Sequence, residues 1–212
     1  MRKLLLSLLL LGGISIKAQD AAKAFSATEV VWFGLDFTKA KFIGAFDQGM
    51  GIAGTSGTDM RNKWVPRWND LIIKEQDKYS IKDAFRKESC YYDIESVNGL
   101  NSKIDVDNMM SPNPSKIDKS QIPDMVKNYN SVKKEGFGVA FVIETFNKND
   151  KVADMYVVCF DIATKKVLIC EKMSGTPAGG GMRNYWAGAI KDVLNQIDGG
   201  AYKRWKKELG VK

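Results

Sequence analysis

Residues 182–197 carry the pattern that most constrains what this chain can fold into. Met182, Tyr185, Trp186, Ala189, Ile190, Val193, Leu194 and Ile197 recur three and four positions apart, which places them on one stripe of an α-helix. Arg183, Asn184, Lys191, Asp192, Asn195 and Gln196 take the opposite face. A helix so apolar on one side has to lie on a hydrophobic surface, and the residues before it supply one. In 137–146, Phe137, Val139, Phe141 and Ile143 alternate with Ala140, Val142 and Phe146, the pattern of a strand covered on both faces. A polar turn at 147–150 leads to a second apolar run at 155–162, and 167–170 returns as a third. The expected unit is an antiparallel meander with the helix across it, ended by Gly199 and Gly200. Full burial of Trp186, Ile190 or Leu194 contributes about 1.5–3 kcal/mol each.

Between meander and helix lies 174–181, Ser-Gly-Thr-Pro-Ala-Gly-Gly-Gly, a composition that predicts a flexible loop. It lacks the phosphate-loop and dinucleotide signatures. It nevertheless opens onto a helix start, where free amides favour an anion. Gly180, Gly181, Arg183 and Asn184 are therefore candidate ligand contacts. A second glycine-studded stretch holds Gly49, Gly51, Gly54 and Gly57, and ranks below the first as an anion site.

Earlier in the chain, 29–37 reads as a strong strand, and 41–43 extends it after a turn. Gly34 inside that run predicts a bulge or a close backbone approach. Asp36 predicts a strand-end carboxylate bonding loop amides, with a binding carboxylate as the alternative. Thr58 is the expected cap of a helix over 59–78, with Trp64, Trp68, Leu71 and Ile72 on one face and Pro66 kinking or delaying it. Ser80 to Asp83 begins a short helix, and 90–94 reads as a strand. Asn98-Gly99 signals a tight turn, and 101–107 a short edge strand. Ser120 is the expected cap of a helix carrying Ile122, Met125, Val126 and Tyr129. The last segment, 201–212, reads as a basic aromatic helix: either a packed terminal helix with a solvated charged face, or a weak peripheral lipid contact. Arg204 and Trp205 are its candidate partner-facing residues.

The first 18 residues have the form of a secretory signal: a basic start, a short apolar run and Ala18. The expected product is exported, periplasmic or secreted, with no membrane span, since the run is shorter than the roughly 20 apolar residues a span needs. Residues 19–200 fit one α/β (α+β) domain: a mixed sheet with a C-terminal antiparallel meander packed against amphipathic helices. The formal charge of +7 resides at the two ends; residues 19–198 hold 24 basic and 24 acidic side chains, which argues against a nucleic-acid face. Three cysteines, Cys90, Cys159 and Cys170, are too few for a disulfide framework. Cys159 and Cys170 sit on neighbouring strands, as two buried thiols or one cross-strand disulfide.

The chain has no histidine, which removes serine–histidine and cysteine–histidine pairs and histidine-bearing metal sites. No cysteine pair has ligand spacing, and Asp105-Val106-Asp107-Asn108 lacks the glycine and spacing of a calcium loop, so no metal or cofactor is expected. Glu144, Asp154, Asp161 and Glu171, on or beside the meander, leave a carboxylate-based hydrolase as one alternative.

Trp32-Phe33-Gly34-Leu35-Asp36-Phe37 and Met182-Arg183-Asn184-Tyr185-Trp186-Ala187 resemble an uncharacterised family of secreted bacterial proteins. The order of elements resembles the small α/β domain of envelope proteins such as the amino-terminal TolB domain and the curli-secretion lipoproteins. The lipid-anchored members carry a cysteine at the mature start, which this chain lacks. The resemblance implies a place in the cell envelope and transfers no functional residue. The leading expectation is an exported, non-enzymatic binding or assembly domain whose partner is an envelope protein or glycan. The alternative is a small-ligand or anion binder that uses 174–183, with or without Asp36.

Overall fold

The computed structural model describes residues 21–46, 55–114 and 116–211. The signal-like segment and Gly49, Gly51 and Gly54 lie outside the described residues. Among the described residues seven strands form one mixed sheet: β1 (Glu29–Asp36), β2 (Lys41–Ile43), β3 (Ser89–Tyr92), β4 (Met110–Ser111), β5 (Phe137–Asn147), β6 (Val152–Asp161) and β7 (Val167–Gly175). The helices that accompany it among the described residues include α1 (Val65–Lys74), α2 (Ile81–Ala84), α3 (Glu95–Asn101), α4 (Ile122–Lys127), α5 (Gly181–Gln196) and α6 (Tyr202–Glu208).

β5 is the axis of the sheet, and all eleven of its residues are buried. β6 pairs antiparallel along its whole length, so β1 and β2 share its other edge, at 137–142 and 145–147. β2 thus continues β1 along one edge. β3 lies outside β1 and β4 outside β2, both parallel, while β7 lies antiparallel beyond β6. Four of the six pairings are parallel, which corrects the picture of a sheet organised by its meander. The antiparallel run is one wing. Parallel pairing requires crossovers, and the helical segments between β2 and β5 provide them.

Both faces are covered. On one, Trp32, Phe37, Phe141, Phe146, Val157 and Cys159 pack with Trp68, Trp186, Ile190 and Trp205. On the other, Phe33, Val142, Val158 and Phe160 pack with Val97 of α3, Val126 of α4 and Tyr129. The α5 stripe is buried as its spacing requires, with Trp186 and Leu194 in the same cluster as Phe141. Phe146, expected opposite Phe141, lies on the same face because the register shifts between Ile143 and Thr145, and one extra residue reverses the alternation.

Gly34 makes the expected bulge in β1, at φ +103°, where the register to β5 skips a residue. The disruption leaves backbone groups of β1 without strand partners, and two buried amides take them. Asn69 Oδ1 accepts from Leu35 N at 2.7 Å, its Nδ2 donates to Leu35 O at 3.1 Å, and Asn101 bonds Leu35 O and Phe37 N.

Several local expectations change. Ser56, not Thr58, caps the first helical turn, in a reciprocal pair with Asp59. A π turn, Met60–Trp64, then precedes α1, and Pro66 sits at the helix start. Asn98-Gly99 lies inside α3, and 101–107 holds no strand; Asp105 caps a 3-10 turn. Asp118, not Ser120, caps the turn before α4. Gly199-Gly200 ends the long helix as expected: Gly200 is non-helical (φ 167°, ψ −23°), and the kink there, within Ile197–Ala201, separates α5 from α6. Cys170 pairs with Val158 and Cys159 with Ile169, so the thiols are not opposite; Cys159 packs on one face and Cys170 against the other, and all three cysteines are free.

Candidate anion-binding cleft

The stretch 174–181 is fastened to α5. Thr176 N donates to Asp192 at 2.9 Å, Ala178 N to Tyr185 O at 3.0 Å, and Gln196 Nε2 to Ser174 O at 2.9 Å. β7 itself runs to Gly175, five residues beyond its expected end at Cys170. Two glycines permit this close approach: a Cβ on Gly175 would meet Ala189 O at 2.1 Å, and one on Gly188 would meet Ala178 O at 2.2 Å. The composition that reads as flexibility is used for backbone-to-backbone packing.

Gly180 and Gly181 differ from their neighbours. Nothing lies within 4 Å of a Cβ built on either. They face a cleft of about 670 Å³ lined by Trp64, Arg67, Asp70, Leu71 and Lys74 from α1 and its π turn, and by Gly180 to Asn184. Gly180 is the N-cap of the 16-residue α5 and contributes no side-chain cap, so the first amides of the helix keep their positive end for a ligand. Arg67, Lys74 and Arg183 outnumber Asp70, which pairs with Lys74 at 3.6 Å. Arg67 also lies over the Trp64 ring, 5.4 Å from its centroid. Trp64 is 5 % exposed, and its indole N–H has no hydrogen-bond partner among the described residues.

The two walls are tied together. Trp68 Nε1 donates to Arg183 O at 3.1 Å, docking the start of α5 on α1, while Asn69 beside it anchors α1 to the bulge of β1. The α1 wall of the cleft is therefore anchored, through Asn69, to the bulged strand at Leu35. Arg183 Nε donates to Asn184 Oδ1 at 3.2 Å, which turns the guanidinium along the helix start.

Arg183, Asn184, Gly180 and Gly181 thus share one site. Asp36 does not join them. It is buried on the opposite face of the sheet, where it accepts from Tyr129 OH at 2.5 Å and from Thr38 N and Oγ1 at 2.8 and 2.6 Å. Burial, and after it the Asp36 carboxylate, push the Tyr129 phenol well up, so it stays protonated and donates. Trp205 is not a surface residue: it is 1 % exposed, and its indole donates to Glu171 at 2.6 Å. Arg204 is exposed but pairs with Glu171 and Glu208.

The four carboxylates of the hydrolase alternative have separate structural partners. Glu144 is bonded by Lys172 and by Ile117 N, Asp154 by Ser174, Asp161 by Thr164, and Glu171 by Arg204 and Trp205. Burial pushes the Cys90 thiol up to about 12 and the Cys170 thiol to about 11, so both are thiols, not thiolate nucleophiles, near neutrality.

Trp64, Arg67, Trp68 and Lys74 were not among the sequence candidates. Trp64, Arg67, Leu71 and Lys74 are spaced i, i+3, i+7 and i+10, a stripe along one edge of α1 that mixes apolar and basic residues. That mixture was the available signal. The chain matches no protein-family model, no curated protein and no solved structure.

Proposed function

We propose that this chain is an exported, non-enzymatic binding domain of the cell envelope. Its ligand presents an oxyanion, a carboxylate or a phosphate group, to the cleft between α1 and the start of α5. The observation that carries this reading is the convergence of Arg67, Lys74, Arg183 and an uncapped 16-residue helix start on one 670 Å³ cleft, with the unpartnered Trp64 indole in its wall. Guanidinium groups match planar oxyanions with paired donors, and the helix end supplies amides without a side-chain competitor. The signal-like first 18 residues support the address. No described helix is long and apolar enough to cross a membrane.

The test is a thermal-shift and calorimetric panel of phosphates and carboxylates on the wild type and on Arg67→Ala and Arg183→Ala. Both side chains are exposed, so the variants should fold. Loss of one charge-assisted contact should weaken binding by roughly 10- to 100-fold. Equal binding by wild type and both variants would refute the site. Recovery of the chain only from the cytosolic fraction of its source cells would refute the address.

A further inference from the structure

A second cleft, of about 390 Å³, lies between Phe25–Thr28, the residues after α2 and the start of α6. Its lining includes Arg86, Lys87, Lys203 and Lys206 against a single acid, Glu88. Lys87 is the unusual member. Its side chain is buried, the residue being 9 % exposed, yet no carboxylate lies within ion-pair distance among the described residues. Its ammonium donates instead to Phe25 O at 2.5 Å and Ala27 O at 2.8 Å and faces the Phe137 ring at 4.8 Å.

Carbonyls and a ring face only partly replace the water that a buried ammonium gives up. Burial, and after it the positive charge of Lys206, lower the Lys87 amine to about 8. Lys206 is half-buried beside it, and neither its ammonium nor that of Lys203 makes a hydrogen bond or ion pair among the described residues. Arg86 occupies the left-handed position that ends α2, at φ +51°, a place glycine fills at lower cost, and there it bonds Asp198 O at the kink before α6. Like charges held together around an open cleft are stabilised by whatever anion enters it.

We propose that this cleft binds a phosphate group through Lys87, Lys203 and Lys206, with Arg86 at its rim. Three cations around one cavity exceed what a single carboxylate neutralises, and a phosphate offers two charges and several acceptor oxygens. Lysine suits it as a compact point charge that needs no planar match. The group can belong to a soluble phosphate or to a lipid headgroup, and the chemistry at the lysines is the same.

The experiment follows Lys87 itself in the full chain. A pulse of acetic anhydride at pH 8, read by mass spectrometry, reports how much of the Lys87 amine is neutral. Inorganic phosphate should slow this labelling by about tenfold, because a neighbouring anion favours the ammonium. The double variant Lys203→Met, Lys206→Met keeps Lys87 and the packed residues of α6, so it should fold, and it should lose the protection. In parallel, vesicles of phosphatidic acid in phosphatidylcholine are compared with phosphatidylcholine alone by co-sedimentation. Capture that disappears in the double variant but survives Lys207→Met assigns a lipid headgroup. Protection by free phosphate without capture assigns a soluble phosphate. No phosphate effect and no capture, or equal effects in wild type and double variant, overturns the site. Arg183→Ala should leave the phosphate protection of Lys87 unchanged, which separates this cleft from the one at α5.

Discussion

At the scale of single residues, Gly34 and Lys87 show how much one side chain, or its absence, decides. A Cβ at position 34 would sit 2.6 Å from Asn69 Oδ1, on a backbone at φ +103°. Gly34→Ala should therefore cost about 1–3 kcal/mol in urea denaturation. Because Asn69 anchors α1, the same variant should also weaken oxyanion binding at the α5 cleft. Lys87 makes a prediction in pH. Its folded amine titrates at about 8, below its ordinary 10.5, so the folded chain releases this proton before the unfolded chain does. Between those values the unfolded state binds more protons at this position, so Lys87 contributes a rise in stability with pH, opposed by the raised Cys90 and Cys170 thiols, which the unfolded chain deprotonates first. Below pH 8 the group is charged in both states and the penalty of its burial is fully present. The stability of the wild type minus that of Lys87→Met, from denaturation curves at pH 7.5 to 10.5, should rise with pH, because the thiol contributions cancel in the difference.

At the scale of elements, the glycine-rich stretch before α5 divides into two functions. Gly175 and Gly188 let β7 and its trailing loop touch the helix backbone, so Gly188→Ala should destabilise by about 1–3 kcal/mol as the strap is pushed off. Gly180, at φ −93° with open space around its Cβ position, should accept alanine with little loss of stability, measured by the same denaturation curves. The helix of this unit was legible in advance because its stripe has a period that only a helix satisfies. The loop was not, since glycine composition alone does not distinguish mobility from close packing. Likewise Arg67 and Lys74 read as the solvated edge of an ordinary amphipathic helix. Only the position of α1 against the start of α5 turns them toward a common space.

At the scale of the whole molecule, α6 belongs to the core. Tyr202 and Trp205 are buried, Tyr202 packs on Phe25, and Trp205 stacks on Phe85. Removing residues 201–212 should therefore unfold part of the domain and is a poor probe of surface contacts. Trp205→Ala alone should cost about 3–5 kcal/mol, checked by thermal or urea unfolding. The basic residues of α6 remain outside, and this arrangement gives the second cleft its charge while the aromatic residues hold its wall in place.

The helical stripe of α5, the doubly apolar strands β5 and β6, the bulge at Gly34 and the absence of imidazole chemistry were all determined by the sequence itself. Each rests on a local period, on the backbone freedom of one residue, or on composition. The parallel placement of β1 beside β5, the return of Phe146 to the face of Phe141, and the meeting of Arg67 with Arg183 were decided only by the tertiary structure. Strand pairing and cleft formation depend on contacts between residues far apart in the chain, and no local pattern encodes which distant partner will cover a given edge.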